Sequence, residues 1–137
     1  MPRSSREALA ETDFLVALLN REDPLHENSL RACERMRVVL SPYSLVELGL
    51  PVLSRKIETD DEAEFLRDVV RELRIRRVSV ANVTPEAHFR AAELRANGMG
   101  YFDSLHRALA ELRGIPILSA DRSHSKCESG WIDLRSE

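Results

Sequence analysis

The chain has 137 residues, 43% hydrophobic and 31% charged, which excludes a disordered chain and predicts a single domain over residues 1–137. No apolar run approaches the roughly 20 residues of a membrane span, and the polar N-terminus lacks the apolar segment of a signal peptide, so we expect a cytoplasmic protein. The net charge of −3 argues against a protein that binds nucleic acid by charge alone. The two cysteines are too few for a disulfide framework.

In the first half of the chain, short apolar runs alternate with helical patterns. Ser44 has the character of a helix N-cap, with Glu47 at capping-box spacing, and Gly49 and Pro51 predict a break followed by a second helical piece. The other predicted elements here are a strand at Ala8–Thr12, a short buried helix to Leu19, a helix at Leu25–Arg37, a strand at Val38–Leu40 and an amphipathic helix at Asp60–Arg74.

The second half continues the alternation. Thr84 and Pro85 are typical of a helix start, and Gly114 of a helix stop. The predicted elements are a strand at Val78–Val83, a helix from Pro85 to near Asn97, a helix at Phe102–Arg113, a strand at Ile115–Asp121, a loop-like tail and an edge strand at Trp131–Leu134. This order predicts an α/β fold, a three-layer α/β/α sandwich with a central, mostly parallel sheet of four to five strands.

Acidic residues fall where these strands end. Glu11 and Asp13 close the first strand, Glu47 lies in the first turns of the helix after the second, and Asp121 ends the last strong strand. Asp103 begins the helix that leads to that strand. Ligand sites of open α/β sheets lie beyond the carboxyl ends of the strands. We therefore expect these carboxylates to meet around a hard divalent cation such as Mg²⁺ or Mn²⁺, which prefers oxygen ligands.

Four blocks of the sequence, in order, resemble the PIN-domain family, the nuclease fold of VapC-like toxins and of some RNA-processing factors. The blocks are Ala10–Leu19, Ser41–Glu47, Tyr101–Ala110 and Gly114–Asp121. The family opens with Asp-Thr-Asn or Asp-Thr-Ser, in which the aspartate is the first metal ligand. Here that position is Glu11, so either Glu11 or Asp13 serves, and we favour Asp13 because it lies nearer the predicted strand end.

The resemblance implies a divalent-metal-dependent endoribonuclease, the toxin of a VapBC-type pair, that leaves a 5′-phosphate and a 3′-hydroxyl. It implies catalytic roles for Asp13, Glu47, Asp103 and Asp121, with Glu11 as a further metal ligand and one or two Mg²⁺ or Mn²⁺ ions. Thr12 and Ser119 would hydrogen-bond these ligands. The implied partners are RNA, a small antitoxin and a second copy in a homodimer.

Basic residues near the acids are the predicted phosphate contacts. Arg107, Arg122 and Lys126 are the main candidates, together with the pair Arg55–Lys56. The four histidines show no HExxH spacing and are interpreted as structural or exposed, with His124 best placed to touch substrate.

Two other functions fit the same pattern. The first is a weak or inactive PIN-like module that binds RNA or serves in assembly, since Glu11 departs from the family motif. The second is a phosphoacceptor receiver domain, which also gathers acids at strand ends. That domain needs a paired acid and a lysine after the last main strand, and Lys126 is too loosely placed to satisfy it.

Overall fold

The computed structural model describes residues 6–53 and 60–137, and these contain five strands and six α-helices. The strands are β1 (Glu7–Ala10), β2 (Arg37–Leu40), β3 (Ser79–Val80), β4 (Ile117–Ser119) and β5 (Trp131–Asp133). The helices are α1 (Thr12–Leu19), α2 (His26–Arg35), α3 (Tyr43–Leu53), α4 (Glu62–Ile75), α5 (Pro85–Ala96) and α6 (Tyr101–Arg113). Two 3₁₀ helices, Arg122–Lys126 and Leu134–Ser136, complete the described elements.

The five strands form one sheet in the order β3-β2-β1-β4-β5, and every pairing is parallel. Leu9 of β1 is in register with Val39 of β2 and with Ile117 of β4. β1 therefore lies in the middle of the sheet, and its last three residues, Ala8 to Ala10, are fully buried. The predicted parallel sheet and its fifth, edge strand are confirmed.

Alternation along the strands separates two hydrophobic layers. Ala8, Val38 and Leu118 pack with side chains of α1, α2 and α4 on one face. Leu9, Val39 and Ile117 point the other way, toward α5 and α6. Because successive strand residues face opposite sides, one short apolar strand can serve both layers. The predicted three-layer α/β/α sandwich is confirmed.

The direction in which the sheet grows reverses beside β1. The chain proceeds from β1 through β2 to β3 on one side, and then adds β4 and β5 on the other side of β1. Loops leaving neighbouring strands on either side of such a reversal turn apart and leave a crevice at the carboxyl edge of the sheet. In this protein the reversal lies between β1 and β4, and the term crevice refers below to the edge of the sheet where these two strands end.

Two local expectations are wrong, both in α3. The helix begins at Tyr43 and runs without a break to Leu53, so Ser44 lies within its first turn and the predicted second helical piece at Pro51 does not form. Leu45 and Leu48 pack against the core, and their burial outweighs the cost of Gly49, about 1 kcal/mol. Within the described part of the chain, no helix is both long and apolar enough to cross a membrane.

Candidate metal centre

Three side chains from distant parts of the sequence meet at the crevice. Oε2 of Glu11 lies 2.7 Å from Nε2 of His124, and the same nitrogen lies 3.8 Å from Oδ1 of Asp103. One possible ligand atom from each residue lies within 4.8 Å of those of the other two. These residues are termed the donor cluster. Glu11 follows β1 directly, and Asp103 lies in the first turn of α6, so the two acids arrive at this edge as the sequence predicted.

His124 reaches the donor cluster from a segment that we predicted to be part of a loop-like tail. Residues Arg122–Lys126 form a 3₁₀ helix, and Asp121 caps it by accepting a hydrogen bond from the Ser123 backbone amide. His124 and Cys127 are buried while the residues between them are exposed. A spacing of three places both on one face of a 3₁₀ turn. That spacing is the signal that could have identified His124 as an inward-facing residue.

Arg107, which we predicted to contact substrate, is directed into the protein. It is 6% exposed, and its Nε donates to Nδ1 of His124 at 3.3 Å. Its terminal nitrogen donates to the carbonyl oxygen of Ser123. The guanidinium therefore supports the turn that carries His124. By contrast, Arg122 and Lys126 are exposed on that turn, next to Asp121, and the pair Arg55–Lys56 lies outside the described residues.

Glu47 belongs to a second hydrogen-bonded group at the same edge of the sheet. Its Oε1 accepts hydrogen bonds from the Thr12 hydroxyl and from Nε2 of His106, each at 2.5 Å, and Nδ1 of His106 pairs with the Ser41 hydroxyl at 2.7 Å. Burial opposes the charge on Glu47, but the hydrogen bonds from His106 and Thr12 outweigh it and lower the pKa of Glu47. Glu47 is thus held as a carboxylate in a fixed position. His106, which is fully buried, is a second residue whose place here the sequence did not reveal.

Asp13 has different neighbours from Glu11. Its Oδ2 accepts hydrogen bonds from the Ala120 backbone amide at 2.7 Å and from the Ser119 hydroxyl at 3.1 Å. Burial, together with the negative charge of Glu11, raises the pKa of Asp13 to about 6. Our reason for favouring Asp13 as first ligand is wrong, since β1 ends at Ala10 and Glu11 is the acid at its end.

The charges of the acids in the crevice influence one another. Burial and the negative charge of Glu11 raise the pKa of Asp103, and the charge of Asp121 raises it further. The Ser123 backbone amide lowers the pKa of Asp121, which is exposed and stays ionised. Carboxylates that raise one another's pKa form a region of negative potential, and such a region favours a bound cation.

Comparison with known proteins agrees with this architecture. The family model for the PIN domain matches residues 8–128, and no curated protein sequence matches the chain. Among solved structures, a toxin–antitoxin complex from Klebsiella pneumoniae is 15% identical with a TM-score of 0.66, covering 93% of this chain and 97% of that one.

Two further solved structures extend the comparison. VapBC-1 from nontypeable Haemophilus influenzae is 15% identical with a TM-score of 0.66, covering 94% of this chain and 98% of that one. VapC20 from Mycobacterium tuberculosis, described as a sarcin–ricin loop cleaving toxin, is 23% identical with a TM-score of 0.64, covering 92% and 97%. At these identities the structures establish a shared fold. Together with a family model that matches most of its length, they confirm the resemblance in the sequence: the chain belongs to the PIN domain family.

Proposed function

We propose that this protein is a metal-dependent endoribonuclease that hydrolyses phosphodiester bonds in RNA, and that it acts as the toxin of a VapBC-type pair. The observation that carries the proposal is the donor cluster, in which Glu11, Asp103 and His124 converge at the crevice beside β1. Membership of the PIN family supports nuclease chemistry at that place.

The chemistry of the crevice suits Mg²⁺ or Mn²⁺. Both ions prefer oxygen ligands, and the crevice offers carboxylates whose mutual repulsion a cation would relieve. We propose that Glu11 and Asp103 hold the ion. Asp121 and Glu47 supply further negative charge at the same edge of the sheet. We place Glu11 rather than Asp13 in this role because Glu11 converges with Asp103 in the donor cluster, whereas Oδ2 of Asp13 accepts hydrogen bonds from Ser119 and Ala120.

A bound divalent ion would supply Lewis acidity and lower the pKa of a water molecule at the scissile phosphate. The protein's own groups would then orient the reactants. Glu47 is fixed as an ionised carboxylate by Thr12 and His106, so it can accept a hydrogen bond from water. Arg122 and Lys126 are exposed on the 3₁₀ helix that Asp121 caps, and they can bind substrate phosphates.

The choice of RNA and of a toxin role rests on the structural neighbours. One is described as cleaving the sarcin–ricin loop, and others are toxin–antitoxin complexes. Two are described as bound to DNA, in one case a fragment of their own promoter. We therefore propose a small antitoxin as a protein partner and a homodimer as the assembled state.

A second candidate function is an RNA-binding module with little or no activity. One observation favours it: Oε2 of Glu11, the acid that replaces the family's aspartate, is already engaged by His124. Such a module would bind RNA through Arg122 and Lys126 without cutting it.

The test combines metal binding with cleavage. We would titrate the protein with Mn²⁺ by calorimetry and incubate it with a mixed RNA pool, with and without EDTA. We expect Mn²⁺-dependent cleavage that is lost in Asp103→Asn and kept in the control Asp68→Asn, which changes an exposed acid of α4. Metal binding without cleavage would favour the RNA-binding module. Failure to bind the metal would contradict the proposed function.

A further inference from the structure

A buried series of polar groups links α6, the 3₁₀ turn and the end of β1. Arg107 donates to Nδ1 of His124, and Nε2 of the same ring lies 2.7 Å from Oε2 of Glu11. His124 is fully buried, Arg107 is 6% exposed and Glu11 is 7% exposed. Buried charges are tolerated when they are paired and hydrogen-bonded, and the ring connects a cation to an anion.

The donor properties of arginine determine the state of the histidine ring. A guanidinium has N–H groups only and cannot accept a hydrogen bond. Nδ1 of His124 must therefore be the acceptor, without a proton, and the proton of the neutral ring must be on Nε2. From there it is donated to Glu11. Both ring nitrogens are then engaged, one by Arg107 and one by Glu11, and neither has a lone pair directed at the crevice.

We propose that His124, held by Arg107, is a positioning residue that fixes the Glu11 carboxylate for metal binding and is not itself a metal ligand. The inference rests on the proposed function, because it concerns how the same site is prepared for its ion. A glutamate side chain loses more rotamer freedom on ordering than most, so a donor that holds it in advance reduces the entropy lost on binding. The second oxygen of Glu11 remains available to the ion.

A spectroscopic experiment on the metal-free wild-type protein tests the state of the ring. Long-range ¹H–¹⁵N correlation of the imidazole groups distinguishes the two neutral tautomers, and loss of one set of signals in His124→Gln assigns them. We expect His124 to carry its proton on Nε2. A ring with the proton on Nδ1 would overturn the proposal, since it could not accept from Arg107 or donate to Glu11.

Substitutions then separate positioning from ligation. At position 124, a glutamine would place its amide nitrogen near the position of Nε2, and an asparagine would place its amide nitrogen near the position of Nδ1. A leucine would offer no donor. By calorimetry we expect His124→Gln to bind Mn²⁺ within about threefold of wild type. We expect His124→Leu and His124→Asn to bind about 10- to 100-fold more weakly, the usual loss when a group that supports a ligand is removed. His88→Gln, on the exposed face of α5, is the matched control.

The possible results distinguish the inference from the function on which it rests. Normal Mn²⁺ affinity in His124→Leu, or equal affinities in the glutamine and asparagine variants, would overturn the positioning role alone. So would pulsed electron paramagnetic resonance showing an imidazole nitrogen bonded directly to Mn²⁺ in the wild type. Absence of Mn²⁺ binding by the wild type would instead overturn the proposed function, and the inference with it. Circular dichroism would establish that each variant is folded. If His124→Leu does not fold, the comparison of Mn²⁺ affinity between His124→Gln and His124→Asn decides whether His124 positions Glu11.

Discussion

The Oδ2 atom of Asp13 lies 2.7 Å from the backbone nitrogen of Ala120, so the first turn of α1 is fastened to the chain just beyond β4. The Ser119 hydroxyl donates to the same oxygen and accepts from the Asp121 backbone amide. One carboxyl group therefore connects the two strand ends that border the crevice. Its protonation state has a consequence for stability.

The first prediction concerns pH. Burial and the charge of Glu11 raise the pKa of Asp13 from 3.8 to about 6, so the folded protein holds this proton more tightly than the unfolded chain does. The stability that this tighter proton binding contributes to the folded state is fully present below pH 3.8 and is lost as the pH rises through about 6. Asparagine cannot ionise, and its carbonyl oxygen can accept the same two hydrogen bonds. We expect Asp13→Asn to gain stability relative to wild type as the pH rises over this range.

Urea unfolding of the metal-free proteins at several pH values would measure this difference. Asp23→Asn is a suitable control, because Asp23 lies in the loop before α2, where its side chain bonds to the Leu25 amide. A stability difference between Asp13→Asn and wild type that does not change with pH would show that the pKa of Asp13 is not raised.

A second prediction concerns Glu47. Burial works against its charge, and hydrogen bonds from His106 and Thr12 lower its pKa in spite of this. Thr12→Val keeps the shape of the side chain but removes the hydroxyl donor, so we expect the pKa of Glu47 to rise. Thr12→Ser keeps the donor and should leave it nearly unchanged. Carbon-detected NMR titration of the Glu47 carboxyl group would measure both, and equal pKa values in the two variants would refute the role of the hydroxyl.

A third prediction addresses the exposed basic residues of the 3₁₀ turn. Replacing Arg122 and Lys126 with glutamine should weaken binding of single-stranded RNA. It should also reduce the slope of log affinity against log salt by about 0.7 for each phosphate that the variant no longer neutralises. Binding would be measured by fluorescence anisotropy in the Asp103→Asn background, which prevents cleavage. Arg35→Gln, at the opposite edge of the sheet, should leave the slope unchanged. An unaltered slope in the double variant would place the RNA elsewhere.

A fourth prediction compares two glycines. Gly114 ends α6 in the left-handed region, with φ of 66°, whereas Gly49 lies inside α3; an added Cβ would meet no atom within 4 Å at either position. Backbone preference therefore decides both outcomes. We expect Gly114→Ala to destabilise the protein by about 1–2 kcal/mol and Gly49→Ala to stabilise it by about 0.5–1 kcal/mol. Urea unfolding would measure both, and changes of the same sign would contradict this account.

The layered fold could be predicted because each strand and helix carries its own pattern. Short apolar runs such as Val38–Leu40 are typical of strands buried on both faces, and helices between them require parallel strands. Parallel strands place their carboxyl ends at one edge. The arrival of Glu11, Asp103 and Asp121 at one edge follows from that geometry, and Glu47 joins this edge through its hydrogen bond with Thr12.

The partners of each side chain could not be predicted in the same way. Whether Glu11 or Asp13 faces Asp103 depends on where β1 ends: the strand stops at Ala10, so Glu11 lies at its end while Asp13 already lies in the first turn of α1. A charged residue on a helix is usually exposed, and we expected Arg107 to contact substrate. In the structure, the turn that carries His124 covers it. The ring of His124 is fully buried although most residues of that turn are polar and exposed. The one local sign of this is its three-residue spacing from Cys127, which is a weak signal in so short a segment.

The order of the donor cluster along the chain also bears on when activity can arise during translation. Glu11 leaves the ribosome well before Asp103 and His124, and β4, which lies beside β1, comes after α6. A nascent chain that ends before residue 103 therefore has one member of the cluster and an incomplete sheet. Under the proposed function, a partly synthesised toxin would be harmless to the RNA of the ribosome that is making it.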